Sequence, residues 1–444
     1  MSLANHLPPT ILERIAGYTL PPLWYEDRIG KHPWAFSQVC RQWRAVALGM
    51  HWVWAYISLP RLDWQWADAG CASATAAVQA YLQRSGDHPL TVKTVNTRTK
   101  DTARDVWEAL APHVHHIREL ATMSNCQDLP QAFRRPLPAL RKLLVECAYA
   151  LSIDAPNLRI LEISDTYLTS VHLPWENLRA FEMCDMVLHA SDFHVLRRCG
   201  RLEVLCLSLE VFNADDEDIR ETTYFPNLHT LIVRGVAIEV CPHLRTPALQ
   251  NFTLSIQSDN EYTGWHERLG MLETVTHVTL RDMHCIHGYD IDFLRALVTI
   301  PKQLRKLTIV DATGLYPEPP CATNQGLLGA LVFDEAAPSL TSLTEIDFVN
   351  GIEGIEWTDE DVSLTRRVVE SRASPSSDVC APLERFNIWT PFADFPAAEL
   401  QKSWAKVEGS AGGKCILDVD VSRHGTQVQV GPGADFRFAV QSIA

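Results

Sequence analysis

The sequence predicts an α/β chain in which a small helical N-terminal module precedes a long array of strand units with a parallel sheet on its concave face. Three observations lead there. A three-anchor apolar pattern recurs from Leu140 to Ile388, helical periodicity in the first sixty residues stands apart from it, and 444 residues exceed what one core usually holds. The composition also changes along the chain: seven of 13 tryptophans (Trp24, Trp34, Trp43, Trp52, Trp54, Trp64 and Trp66) lie in the first 66 residues. The expected organisation is a module at residues 1–60, connecting helices and a capping region at 61–116, the array at 117–395 and a C-terminal cap at 396–444.

The first helix is predicted after Leu7-Pro8-Pro9, where Ile11, Leu12, Ile15 and Tyr18 share one face and the prolines occupy a first turn that needs no N–H. Pro21-Pro22 stops it. A second helical run places Phe36, Val39, Cys40, Trp43, Val46 and Ala47 at 3.6-residue periodicity, and His51-Trp52-Val53-Trp54 and Ile57-Ser58-Leu59 lead out of it. So few residues cannot bury this much apolar surface alone, so an exposed apolar face is expected.

The stretch Leu7-Pro8-Pro9-Thr10-Ile11-Leu12-Glu13-Arg14-Ile15, then Ser37-Gln38-Val39-Cys40-Arg41-Gln42-Trp43-Arg44-Ala45-Val46-Ala47, then Trp52-Val53-Trp54 and Ile57, resembles an F-box of the fungal type, with an insertion after its first helix. The resemblance covers residues 5–58 and implies a three-helix module that docks on the Skp-type adaptor of a cullin ubiquitin ligase. It makes Leu7, Pro8, Ile11, Leu12, Ile15, Val39, Cys40, Trp43 and Val46 candidate adaptor contacts or their core support. The other reading is that these residues form only an internal helical core. Thr10, where the family usually has an acidic residue, and Ala16, where it has a large hydrophobe, favour that alternative.

The anchors of the array are Leu140/Leu143/Val145, Leu158/Leu161/Ile163, Leu178/Phe181/Met183, Leu202/Leu205/Leu207, Leu228/Leu231/Val233, Leu249/Phe252/Leu254, Val275/Val278/Leu280, Leu304/Leu307/Ile309, Leu343/Ile346/Phe348 and Leu383/Phe386/Ile388. Successive first anchors are 18, 20, 24, 26, 21, 26, 29, 39 and 40 residues apart. Proline two residues before several first anchors (Pro138, Pro156, Pro226, Pro247) and turn formers seven residues after others (Asp165, Asp185, Gly235, Asp282, Asp311, Asn350) suit short strands between tight turns. The pattern resembles a degenerate leucine-rich-repeat solenoid, in which strands too short to bury their own apolar face stack into one core. Helices are expected at 72–84, 102–116, 326–333 and 359–372, a strand at 89–95, and a terminal hairpin from 416–421 and 426–430.

Alternate strand residues face away from the core. The fourth and sixth offsets therefore define a strip from which Glu162, Glu182, Arg234, Thr253, Arg281 and Trp389 are candidate target-binding residues, mixed in polarity and carrying Arg and Trp.

Charge and motifs narrow the function. Lys plus Arg total 39 against 54 Asp plus Glu, a net charge of −15, which disfavours nucleic acid or an anionic membrane as partner. Residues 1–20 contain no apolar leader core and no run suits a membrane span, so an unsecreted, soluble chain is expected. Twelve cysteines without a CxxC pair suit buried thiols in cytosol or nucleus. Gly409-Ser410-Ala411-Gly412-Gly413-Lys414 lacks the phosphate-loop spacing, and His284-Cys285-Ile286-His287 and His113-Val114-His115-His116 lack a complementary ligand pair for zinc. Asp215-Asp216-Glu217-Asp218 reads as a hydrated loop. No catalytic motif, cofactor or metal site is expected. The resemblances imply the substrate-recognition subunit of an SCF-type ligase, binding an unidentified target protein through its repeats; the alternative is a leucine-rich-repeat interaction scaffold outside any ligase.

Overall fold

The computed structural model describes residues 7–19, 34–59, 67–94, 105, 107–122, 135–146, 151–213, 221–255, 264–281, 291–311, 323–334, 338–350, 359–373, 380–389 and 416–420. It is a mixed α/β structure with a large parallel sheet and several helices, and the chain divides into two compact units, residues 1–186 and 187–444.

In the first unit the sheet contains β1 (Tyr56–Leu59), β2 (Leu90–Thr94), β3 (Ile117–Thr122), β4 (Lys142–Glu146), β5 (Ile160–Ser164) and β6 (Ala180–His189), paired in chain order. Every pair is parallel, with Leu120, Leu143, Leu161 and Phe181 in one register row. In the second unit β7 (Val204–Asn213), β8 (Thr230–Gly235), β9 (Asn251–Ser255), β10 (His277–Arg281), β11 (Lys306–Asp311), β12 (Glu345–Asn350), β13 (Arg385–Trp389) and β14 (Ile416–Asp420) do the same, aligning Leu205, Leu231, Phe252, Val278, Leu307, Ile346, Phe386 and Leu417.

All three anchors of each of the ten units are buried, and none exceeds 6% exposure. Before most strands a tight turn delivers the first anchor: the N–H of Leu140, Leu158, Leu178, Leu202, Leu228, Leu249, Val275 and Leu343 each donates to the carbonyl three residues back. The asparagines before three anchors join one turn to the previous one. Asn157 Nδ2 donates to Pro138 O (2.7 Å), Asn177 Nδ2 to Pro156 O (2.9 Å) and Asn227 Nδ2 to Gly200 O (3.2 Å). At the other end, three of the turn formers seven residues after a first anchor have positive φ: Asp165 (φ 48°) just past β5, Asp185 (φ 52°) within β6 and Gly235 (φ 58°) as the last residue of β8.

Anchor spacing sets what lies between strands. Where anchors are 18 and 20 residues apart, the described residues of the return form two-residue strands, Leu151–Ser152 paired with Val171–His172, and short 3-10 turns. Wider spacing admits helices: α6 (Phe193–Arg198), α7 (Trp265–Leu269), α8 (Ile291–Thr299), α9 (Thr323–Leu331) and α10 (Asp359–Ala373). The helix expected at 326–333 starts three residues earlier, and the one at 359–372 extends one residue further. Trp265 of α7 meets Phe293 of α8 edge to face at 4.8 Å.

One expectation needs correction. Of the helix expected at 102–116, residues 105 and 107–110 are helical, but the segment ends in a 3-10 turn at Ala111–His116 and leads into β3, a member of the sheet that the anchor pattern does not mark. The strand expected at 89–95 is present as β2, paired in parallel with β1 and β3. Residues 416–420 pair in parallel with β13 and extend the sheet; their expected hairpin partner, 426–430, lies outside the described residues.

The N-terminal helices are α1 (Pro9–Thr19), α2 (Trp34–Ser37), α3 (Arg41–Gly49) and α4 (His51–Trp54), followed by α5 (Ala67–Ser85) after β1. Leu12, Ala16, Phe36, Ala47, Met50 and Val53 form a buried cluster, against which Leu7, Ile15, Trp43 and Val46 pack. Gln42 Nε2 donates to Leu7 O (2.8 Å) and Arg44 Nε to Ser37 O (3.0 Å), tying α3 to the segment before α1 and to α2.

Candidate interaction surfaces

Two surfaces collect the residues that the sequence singles out. The first is the apolar face of the N-terminal helices. Val39 is 54% exposed and Ile11 40%, and Pro8 is exposed beside them in the sequence pattern, while Leu7, Ile15, Cys40, Trp43 and Val46 are half-buried. Leu12 is fully buried, so among the nine candidates it is core support and offers no surface. Ala16 is also fully buried, and the helix cluster closes around its methyl group. Trp43 stacks obliquely on Phe36 with centroids 4.6 Å apart, which anchors the exposed apolar side chains to the core. Leu48 (42%) and Trp52 (39%) are further exposed hydrophobes of α3 and α4.

The second surface is the sheet face turned away from the anchors. In the second unit a row runs Thr253, Thr279, Thr308, Asp347, Asn387, one residue per strand. Asp347 collects its neighbours: Lys306 Nζ lies 2.7 Å from Oδ2, Asn387 Nδ2 donates to Oδ1 at 2.7 Å, and Thr308 Oγ1 reaches Oδ2 at 3.5 Å. Lys306 also meets Glu345 Oε1 at 2.9 Å. Burial works against the ammonium, but hydrogen bonds to Asp347 and Glu345 outweigh it and raise the Lys306 pKa above its ordinary value. His277, beside Lys306 in the register, has its pKa lowered by burial and by that ammonium. The arrangement presents preorganised donors and acceptors along several strands, which suits an extended polar ligand such as a peptide.

In the first unit the same face is acidic. Lys142 Nζ sits 2.5 Å from Glu162 Oε1. Burial raises the pKa of Glu119, opposed by Lys142 and Arg118 and reinforced by Glu162; Glu146 is raised by burial and then by Asp165.

No protein-family model matches the chain. No curated protein sequence matches it significantly.

The candidate strip divides when placed on this face. Thr253 and Arg281 are half-buried, but Glu162 (5%), Glu182 (3%) and Arg234 (6%) are buried, contrary to the expectation that the strip is surface. The reason is geometric: an interior strand has parallel neighbours about 4.8 Å away on both sides, so a side chain can face away from the core and still be shielded. Trp389 ends β13 in register with Val349; its side chain lies outside the described residues. Lys306, Glu345 and His277 were missed because they stand two residues after their first anchors, and the strip was drawn from the fourth and sixth positions. The same alternation rule applied at the second position finds all three. Of the remaining motifs, His113, His115 and His116 lie on the 3-10 turn, while residues 214–220, 282–290 and 409–413 lie outside the described residues. Among the described residues no cluster of three metal-ligating side chains occurs, and no helix is long and apolar enough to cross a membrane. Cys40, Cys184, Cys199, Cys206, Cys241 and Cys380 are free thiols.

Proposed function

We propose that the chain is the substrate-recognition subunit of an SCF-type cullin ubiquitin ligase, an F-box module engaging the Skp-type adaptor and a leucine-rich-repeat-like solenoid binding a target protein on its sheet face. The observation that carries the reading is the exposure of Ile11 and Val39 next to half-buried Trp43 and Val46, in the segments whose sequence resembles an F-box. Apolar side chains held in water by a packed helical core favour a partner that covers them. The repeated buried anchors and the parallel register support a solenoid, and the Lys306–Asp347–Asn387 network supports polar recognition of a target. In this reading the protein contributes proximity and orientation, and the transfer chemistry belongs to other subunits.

The test is co-purification of the full chain with a Skp-type adaptor. Ile11→Asp combined with Val39→Asp places charges at exposed positions and leaves the buried cluster intact. Adaptor recovery is expected to fall at least about tenfold, in line with the loss of central apolar anchors, with no change in thermal stability. Unchanged recovery would exclude the docking face and favour the scaffold outside a ligase.

A further inference from the structure

The residue immediately after a first anchor stands at the threshold of a strand, and in the first unit this position is arginine four times running: Arg141, Arg159 and Arg179 directly precede β4, β5 and β6, and Arg118 is the second residue of β3. Backbone hydrogen bonds place them side by side, with the N–H of Arg141 on Arg118 O (2.8 Å), that of Arg159 on Arg141 O (2.9 Å) and that of Arg179 on Arg159 O (2.8 Å). At a strand spacing of about 4.8 Å the row is roughly 14 Å long.

The strand-start position does not itself require arginine. In the second unit its equivalents, linked by the same hydrogen bonds, are Glu203, His229, Gln250, Thr276, Arg305, Thr344 and Glu384. Like charges on adjacent strands repel, so an uninterrupted row is unfavourable for the isolated fold. It occurs, moreover, in a chain with a net charge of −15. Arg141 and Arg159 are exposed and Arg118 is half-buried. Among the described residues none of the three guanidinium groups has a carboxylate within ion-pair distance.

A second observation gives the row a ligand-sized shape. Arg118, Arg141 and Arg159 line a cleft of about 240 Å³ together with Pro89, Pro138, Ala139 and Asn157. The Asn157 amide donates to Pro138 O at 2.7 Å and so fixes one wall. The cleft therefore combines three planar cationic forks with proline and alanine surface. Guanidinium forks match tetrahedral oxyanions in geometry, and stacked forks can share one phosphate or span two.

We propose that this cleft binds a phosphate group, as a phosphomonoester or a diphosphate. The ligand is a phosphorylated small molecule or a phosphorylated side chain of a protein; both present the same oxyanion to Arg118, Arg141 and Arg159. The site lies at the strand starts and does not depend on the ligase reading.

The experiment is titration calorimetry on the full chain with three probes: inorganic pyrophosphate, a phosphoserine peptide and its unphosphorylated twin. The wild type is compared with the double variant Arg141→Gln/Arg159→Gln and with Arg305→Gln, which removes an arginine from the same position in the second unit. The expected result is saturable binding of pyrophosphate, the phosphopeptide or both. Each lost arginine should weaken it roughly tenfold, since charge-assisted hydrogen bonds of this kind are among the stronger ones. Arg305→Gln should leave it unchanged. Pyrophosphate binding alone assigns a small-molecule ligand, and phosphopeptide binding alone a modified side chain. The substitutions are at strand starts and relieve repulsion, so the double variant should melt at the wild-type temperature or above. The proposal is overturned if neither phosphate probe binds, if the double variant binds as the wild type does, or if the unphosphorylated peptide binds as tightly as its phosphorylated form.

Discussion

Arg84 of α5 lies over two tryptophans, its guanidinium carbon 4.4 Å from the Trp34 ring centre and 4.3 Å from that of Trp54. Trp54 is fully buried, donates Nε1–H to Ala47 O (2.7 Å) and meets Trp34 edge to face at 5.1 Å. Tyr81 adds a third ring, 5.5 Å from Trp54 and 5.9 Å from Trp34. Part of the tryptophan excess near the N-terminus is thus an aromatic box that fastens α5 to the helices before it, closed by a cation over ring faces. Burial raises the Tyr81 phenol to about 12, although Trp34 and Arg84 both act to lower it. A folded chain that keeps this proton loses stability once the unfolded chain ionises. The Tyr81 contribution is therefore intact below the ordinary pKa of 10.0 and is lost as pH rises towards 12. The loss should amount to about 2–3 kcal/mol at most. Urea melts of wild type and Tyr81→Phe across that range should converge as the pH rises, the phenylalanine variant showing the flatter profile; parallel profiles would refute the assignment. Arg372 shows the opposite use of a cation. Fully buried, it donates to Leu331 O (2.8 Å), Leu340 O (3.1 Å) and Ser339 O (3.2 Å), so the guanidinium ends α9 and holds the turn before β12 with backbone carbonyls as its acceptors.

Among the elements, the strands owe their boundaries to the residues just outside them. Gly235 leaves β8 with φ 58° and ψ −138°, a conformation essentially confined to glycine, and a Cβ built there would stand 3.3 Å from Leu209 O. Gly235→Ala should destabilise by about 1–3 kcal/mol, read as a lower midpoint in denaturant melts; an unchanged midpoint would show that the turn relaxes. Much of this was legible in the sequence because each anchor does one physical job at a fixed offset: Leu228, Leu231 and Val233 are buried where the pattern puts them, and Asp165 has a positive φ where β5 ends. β3 was not legible by that rule. Its segment, Ile117-Arg118-Glu119-Leu120-Ala121-Thr122, keeps apolar residues at the first and second anchor offsets, Ile117 and Leu120, but carries Thr122 in the row where the following strands have the third anchors Val145, Ile163 and Met183. The sheet face was less legible still. Alternation predicts direction, but the exposure of Glu162 or Arg234 depends on neighbouring strands that lie at least 18 residues away in the chain.

For the whole molecule, a parallel sheet has two terminal strands whose unpaired backbone groups must be managed. In the second unit β14 covers one side of β13, pairing Arg385 through Trp389 with Ile416 through Asp420. Truncation after residue 410 removes that cover from a strand whose Phe386 and Ile388 are fully buried. The shortened chain should associate through the exposed edge, eluting from a sizing column ahead of the intact protein; elution as an undisturbed monomer would show that β14 is dispensable. The asparagine bridges have a different consequence. Because Asn157, Asn177 and Asn227 each fasten one strand-start turn to its predecessor, a residue inserted there would break the hydrogen bonds of two turns at once, whereas one inserted between a strand and the next turn would break neither. Within each unit the chain can therefore gain length after a strand without breaking these bonds, which is where the second unit inserts α9 and α10 between its strands.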